Sequence, residues 1–467
     1  MNRGIAHKNA SLLVLTVAAI TIFVTPAFPQ KQMPPEGSAP KPFTVPASET
    51  YALPNGVKVT LVPYGIIPKA AISVAINAGH LNDGKDRTGV ASLASHLFEE
   101  GTATLNSDQL AAETARMGSS LSVSADEDQT EFSLDVLQEF APDGVRLLGD
   151  VLQHPRFPES ELARLKTDML RNIALQTSQP QTIAAMRFRK ILYGDHPYGT
   201  VLPTEEDVKK LTLQDVKDFY GANFGAQRAH IYVAGKFDMP AVKKAIADAF
   251  SGWSKGPART NNPPNAQATK VLDLTDRPGA PQSTLMVGLP VTSPASPDAL
   301  PLRVTNALLG GSFNSRMTAN LREQKGYTYS PFSEISRRYH DAYWAQHADV
   351  TTQFTGPSLK EIFGEIDRLQ KEAPTAAELK GIQNYLSGVF VIQNSNRSAL
   401  IGQLQYVDFQ GLGTDYLKNY VQRVNAVTPA DVQKLTTQYI KPDQMTIVVV
   451  GDKSKIEEQI APFKPVN

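Results

Sequence analysis

The sequence predicts an α+β protein made of two homologous α/β halves, each a mixed sheet flanked by helices, with a linker between them. Three observations predict it: a long-range internal repeat, strands of alternating polarity early in each half, and a Pro- and Asn-rich stretch at the centre of the chain. With 467 residues the chain is too long for one ordinary core and suits two domains of about 200 residues each.

The repeat comes first because it organises the rest. Thr212-Leu-Gln-Asp215-Val216 continues to Ile231-Tyr-Val233-Ala-Gly235, and adding 216 to each number gives Thr428, Asp431, Val432, Ile447, Val449 and Gly451 without a gap. Both copies read as a Thr N-cap, an Asp in the first helical turn, and an apolar strand ended by Gly. A helix should follow each Gly, over 241–250 and 455–463. Upstream, Glu161-Leu162 matches Glu378-Leu379 and Ser178 matches Ser395 at an offset of 217, the Glu-Leu pairs within and the Ser just beyond segments that read as long helices over 160–176 and 376–393. The strands Ala71-Ile-Ser-Val74-Ala-Ile76 and Thr284-Leu-Met-Val287-Gly-Leu289 open the two halves. Between Leu121 and Ser133, Gln129, Glu131 and Ser133 alternate with Thr130, Phe132 and Leu134, the pattern of a half-buried strand. The expected division is a signal peptide over 1–27, a flexible Pro-rich lead-in over 28–47, an N-terminal domain over 48–253, a linker over 254–269 and a C-terminal domain over 270–467.

Composition narrows the function. Lys+Arg 46 against Asp+Glu 46 leaves no net charge, which disfavours a generally basic nucleic-acid binder. Cysteine is absent, so disulfides, cysteine nucleophiles and thiolate metal sites are all excluded, and a transition metal would need His and carboxylates. Arg3 and Lys8 precede an apolar run from Leu12 to Val24, and Thr25-Pro26-Ala27 offers small residues for cleavage after Ala27. That run is shorter than the roughly 20 residues of a spanning helix, so export to a bacterial periplasm is expected rather than a stable membrane span.

Two segments carry the candidate chemistry. Gly89-Val-Ala-Ser92-Leu-Ala-Ser95-His96-Leu-Phe-Glu-Glu-Gly101-Thr102 resembles the signature helix of the zinc-dependent M16 (pitrilysin-like) peptidases, and Asn55-Gly56-Val57-Lys58-Val59 resembles that family's opening hairpin. The family motif is His-x-x-Glu-His with a distal Glu on a later helix. Positions i and i+4 share a helix face and can converge on one ion, while the Glu at i+3 takes a proton from metal-bound water. Here the first His is Ser92, the Glu is Ser95, His96 survives, and the distal Glu aligns with Asn172. One ligand of three remains and the base is gone, so the resemblance implies that this chain binds no zinc. His96 then reads as a helix histidine hydrogen-bonded to a neighbour, and Asp168, one turn before Asn172, is a candidate for a rearranged carboxylate ligand.

The second segment is Gly310-Gly311-Ser312-Phe313-Asn314-Ser315-Arg316-Met317, followed by Asn320-Leu321-Arg322-Glu323-Gln324-Lys325-Gly326-Tyr327-Thr328-Tyr329. The glycine pair lacks the Lys-Ser/Thr of a phosphate loop and reads as a tight turn between helices. In M16 peptidases the matching segment supplies an Arg and a Tyr seven positions apart that bind substrate beside the zinc. Arg322 and Tyr329 have that spacing, with Tyr327 as the lesser candidate. The resemblance implies a non-zinc-binding subunit of a heterodimeric M16 peptidase, of metallohydrolase-like fold. It would bind no cofactor itself, pair with a zinc-bearing M16 subunit and act on unfolded peptides. The alternative is a non-catalytic scaffold or binding protein of the same fold.

Overall fold

A computed structural model describes residues 44–259 and 262–465. The expected signal peptide and most of the expected Pro-rich lead-in lie outside the described residues. Eleven strands among these residues form two sheets. The first contains β1 (Glu49–Ala52), β2 (Lys58–Pro63), β3 (Lys69–Ile76), β4 (Ser122–Ala125), β5 (Thr130–Leu137) and β6 (Ala229–Gly235), in the order β1-β2-β6-β3-β5-β4. The second contains β7 (Val271–Asp276), β8 (Gln282–Val291), β9 (Phe332–Ile335), β10 (Ala342–Thr351) and β11 (Thr446–Gly451), in the order β7-β11-β8-β10-β9.

With β1 set aside, the two orders are identical. In each half the first and last strands pair parallel, β2 with β6 and β7 with β11, and every other pairing is antiparallel. Ile231 faces Val74 and Val233 faces Ile72, while their repeat mates Ile447 and Val449 face Val287 and Leu285. The repeat seen in the sequence is therefore a repeat of topology. Its caps are equally literal. Thr212 Oγ1 accepts from Asp215 N at 3.2 Å and Thr212 N donates back to the Asp215 carboxylate at 2.8 Å; Thr428 and Asp431 do the same at 3.2 and 2.9 Å.

Strand polarity follows each strand's surroundings. The central strands β6 and β11 are buried along their whole length, and β5 alternates buried with half-buried residues as its sequence pattern predicts. The long helices Glu159–Thr177 and Ala376–Gln393 lie within a residue of their expected bounds.

Each sheet also borrows a helix. Helix Pro180–Tyr193 belongs to the first half by sequence but packs on β8 and β11 of the second sheet, through Ala184, Phe188 and Leu192 against Met286, Val448 and Val450. Helix Arg397–Gln410, which starts 217 residues later, packs on β3 and β6 of the first sheet, through Ile401, Leu404 and Val407 against Ala71, Tyr232 and Ala234. Gly288 allows the close approach, because a Cβ there would stand 2.9 Å from the Phe188 ring. Ion pairs seal both crossings. Arg397 donates to both Asp135 oxygens at 2.6 and 2.5 Å, and Arg187 to both Asp273 oxygens at 2.9 and 2.5 Å. Bidentate geometry of this kind fixes orientation as well as charge.

Because each crossing helix covers a face of the other half's sheet, the chain should unfold as one unit when their buried side chains are truncated. Phe188→Ala is expected to cost about 3–5 kcal/mol and Leu404→Ala about 2–5 kcal/mol. Urea unfolding should show both as shifts of a single transition, and a second, unshifted transition would contradict the exchange.

Candidate functional site

Helix Val90–Phe98 carries the degenerate motif. Its start is set by Gly89, whose φ of 93° few other residues tolerate, and by the Asp83 carboxylate, which accepts from Gly89 N at 2.7 Å and Ala91 N at 2.9 Å. His80 Nδ1 lies 3.2 Å from the same carboxylate, and His80 Nε2 lies 3.3 Å from Ser92 Oγ. Burial lowers the His80 pKa, but the hydrogen bond and charge of Asp83 outweigh it, so the net shift is upward. Val90, Leu93, Ala94, Leu97 and Phe98 bury the helix's apolar face, so the position four residues beyond Ser92 faces outward.

Helix Glu159–Thr177 packs alongside and brings Asn172 opposite this face. Ser92, His96, Glu99, Arg164, Asp168 and Asn172 line one cleft of about 440 Å³. Ser95 is not among them. It is buried, and its hydroxyl donates to Ser92 O at 2.7 Å, within its own helix. His96 is exposed and its ring makes no hydrogen bond among the described residues, so the expected neighbour bond is absent: the Ser92 hydroxyl pairs with His80, the Ser95 hydroxyl bonds within its own helix, and the imidazole is left in the cleft. Asp168 is held by Arg171 at 2.7 Å and Arg164 at 3.4 Å and is not a free ligand. Among the described residues no three His, Cys, Asp or Glu side chains are grouped to hold a metal ion. An imidazole, a hydroxyl and a carboxamide do not fit zinc, whose protein sites use at least three His, Cys or carboxylate donors.

The second candidate segment is built differently. Helix Ala299–Asn306 continues into a wide, π-type turn over Ala307–Gly311, and a second π-type helix spans Thr318–Gln324. Gly310 and Gly311 therefore end a helix rather than form the expected tight turn. They are small because a Cβ on Gly310 would meet Ser333 Oγ at 2.5 Å and Gln346 Oε1 at 2.6 Å, and one on Gly311 would meet Asn306 Nδ2 at 2.4 Å. Arg316 locks the following loop through two bonds to Glu378, at 2.7 and 2.9 Å.

Arg322 sits in the second of these helices with its guanidinium carbon 4.4 Å from the Tyr329 ring centre and 4.8 Å from the Phe313 ring centre. Both rings are unusually open for aromatic groups, 77% exposed for Tyr329 and 65% for Phe313. The only ion pair of Arg322 is Nε to Glu323 at 3.1 Å, which leaves its two terminal nitrogens without partners among the described residues. Tyr327 differs: its ring stacks on Phe354 at 4.4 Å, and its backbone bonds Leu321 and Thr351. The structure thus brings Arg322 and Tyr329 together and packs Tyr327 away from them. Phe313 completes the group. It lies in the quoted glycine-led segment, but no spacing rule singles it out.

A model of the insulinase (M16) peptidase family matches residues 65–204, and a model of the M16 inactive domain matches residues 210–386. This chain belongs to the M16 peptidase family. Among its relatives, a protein of Bacillus subtilis named as the uncharacterized zinc protease YmxG is 25% identical, over 84% of this chain and 96% of that one. A Helicobacter pylori protein named as a non-peptidase homolog is 22% identical, over 84% of this chain and 90% of its own. In fold, a solved M16 inactive domain from Pseudomonas fluorescens superposes with a TM-score of 0.79 at 24% identity, covering 86% of this chain and 98% of that structure. A protease structure from Helicobacter pylori superposes at 0.81 with 20% identity, covering 87% and 100%.

The ligand deficit has a direct test. The purified chain is expected to carry only substoichiometric zinc by metal analysis. Ser92→His with Asn172→Glu should restore three donors in the cleft without touching buried Ser95, and should yield chelator-sensitive zinc uptake. Stoichiometric zinc in the unmodified chain would contradict the reading.

Proposed function

We propose that this chain is the non-zinc-binding subunit of a heterodimeric M16 zinc peptidase of the bacterial periplasm, acting on unfolded peptides. In this reading the domains at 48–253 and 270–467 close around substrate with a zinc-bearing partner. The observation that carries it is the contrast within one chain. Two of the three zinc positions lack a donor, while Arg322, half-buried, is held between the exposed rings of Phe313 and Tyr329 with its terminal nitrogens unused. The partner's zinc would supply the activated water. This chain's part is to bind and orient.

Peptide hydrolysis builds negative charge on the scissile carbonyl oxygen. A preorganised phenol or guanidinium donor aimed at that oxygen stabilises it, and losing one such donor costs about 100–1000-fold in rate in other enzymes. Arg322 suits this role because the two rings restrict its rotamers before substrate arrives, so less entropy is lost on binding. Its flat fork also matches a peptide carbonyl or carboxylate. The scaffold reading finds support in the relative named as a non-peptidase homolog. The two readings separate cleanly by experiment.

Mixed with a partner bearing an intact His-x-x-Glu-His helix, the chain should produce chelator-sensitive peptidase activity that neither protein has alone. Arg322→Ala and Tyr329→Phe should each lower turnover by roughly ten- to a thousand-fold without weakening assembly. Tyr327→Phe should be nearly neutral, since its ring is stacked on Phe354. Full activity in both Arg322→Ala and Tyr329→Phe complexes would favour the scaffold.

A further inference from the structure

A buried guanidinium group needs carboxylates, carbonyls or ions around it, because without them it loses its hydration and gains nothing in return. Two arginines, remote in sequence from both candidate segments' key residues, fall short of that requirement together. Arg189 lies on the crossing helix Pro180–Tyr193, and Arg338 lies in the hairpin between β9 and β10. Their side chains are only 9% and 7% exposed. Glu127, in the hairpin between β4 and β5, pairs with Arg189 Nη1 at 2.9 Å but stands 3.6 Å from Arg338 Nη2, beyond hydrogen-bond reach. Arg189 Nε donates to Tyr198 O at 2.7 Å. Arg189 Nη2, Arg338 Nε and Arg338 Nη1 are buried and have no hydrogen-bond partner among the described residues.

The surroundings are aromatic and neutral. Tyr343, Tyr198 and Tyr193 have ring centres 5.0, 5.3 and 5.5 Å from the Arg338 guanidinium carbon. That is a loose fit, since Tyr339 lies 3.7 Å from Arg259 and Tyr329 lies 4.4 Å from Arg322 by the same measure. The three hydroxyls donate to other carboxylates: Tyr193 to Asp341 at 2.5 Å, Tyr198 to Asp128 at 2.8 Å and Tyr343 to Glu334 at 3.4 Å. Burial pushes all three phenols above their usual pKa, so none balances a positive charge. Burial and the nearby Arg338 charge both hold the Arg189 pKa down, as two guanidinium groups in mutual repulsion require. Among the described residues Glu127 is the only carboxylate paired with either arginine, one negative charge against two positive.

We propose that Arg189 and Arg338 hold a small monovalent anion such as chloride, which accepts from their unpartnered nitrogens. Charge selects the class, because one further negative charge brings the two arginines and Glu127 to neutrality. Burial selects the size, because side chains this enclosed admit an ion more readily than an organic acid or a phosphate ester. Tyrosine ring edges, which carry partial positive charge, also suit an anion as neighbour. The site joins the crossing helix to one hairpin from each sheet, so the anion would brace the packing of the two halves. The inference does not rest on the two-subunit reading, since all three residues belong to this chain.

The test is urea unfolding of the isolated full chain at constant ionic strength, with sodium chloride exchanged stepwise for sodium gluconate. A ligand bound only by the folded state should raise the folding constant about tenfold once chloride reaches ten times its dissociation constant. Arg338→Met, which keeps an unbranched chain without the charge, should abolish that dependence. Glu127→Gln should move the other way and tighten chloride binding by about tenfold or more, because it removes the competing negative charge. In a crystal of the wild-type chain grown in bromide, an anomalous peak should lie against Arg189 Nη2 and Arg338 Nη1. Identical chloride and gluconate series for the wild type would overturn the proposal, as would an undiminished chloride effect in Arg338→Met. Water at that position in the bromide crystal would assign the buried nitrogens to solvent and overturn it as well. Should Arg338→Met fail to fold, the Glu127→Gln series and the bromide crystal still decide the question.

Discussion

The reciprocal crossing of two helices is the constraint on which the rest of the molecule depends. A sheet buried on both faces needs cover on both, and each sheet here takes the second cover from the other half. Helix Pro180–Tyr193 directly follows helix Glu159–Thr177, which walls the degenerate cleft, and helix Arg397–Gln410 likewise follows helix Ala376–Gln393, whose Glu378 locks Arg316. Both candidate segments are thus tied to the crossings through their supporting helices. A change in how the halves pack would move the walls of the cleft and the brace behind the Arg322 segment together.

Within that frame the two candidate sites have been treated in opposite ways. Around His96 the polar groups are turned inward or spent on neighbours: Ser95 on its own helix, Asp168 on two arginines, Glu99 on the Val123 amide of β4. Around Arg322 the terminal nitrogens are unspent, and two exposed rings hold the half-buried guanidinium in place. Exposed cation–π contacts contribute about 0.5–1 kcal/mol each, too little to be needed for folding but enough to bias a rotamer. The wide π-type helix that carries Arg322 points the same way, since such turns occur frequently at functional sites.

Much of this was legible in the sequence, and the gaps have physical reasons. The paired Thr-Asp caps, the buried central strands and the Arg322–Tyr329 spacing are local patterns, and local patterns can be read directly. The strand order was not readable, because it depends on pairings between residues far apart in the chain. Nor was the helix exchange: the apolar face of Pro180–Tyr193 announces that it is buried, not whose sheet it covers. Gly310 and Gly311 looked like a turn because a turn and a close approach both require the absence of Cβ, and only the positions of Ser333 and Gln346 distinguish them. His96 lacks its expected partner because Ser92 and Ser95 bond elsewhere. Phe313 carries no periodic signal, and its role appears only when a guanidinium arrives beside it.

The central claim is that a chain lacking a full set of zinc donors completes the site of a chain that has one. Native mass spectrometry of the complex isolated from its own cell under its own promoter tests this most directly. The account predicts this chain together with one M16 chain bearing His-x-x-Glu-His, plus the mass of one zinc ion that chelator removes. The chain alone, or paired only with itself and free of zinc, would contradict it.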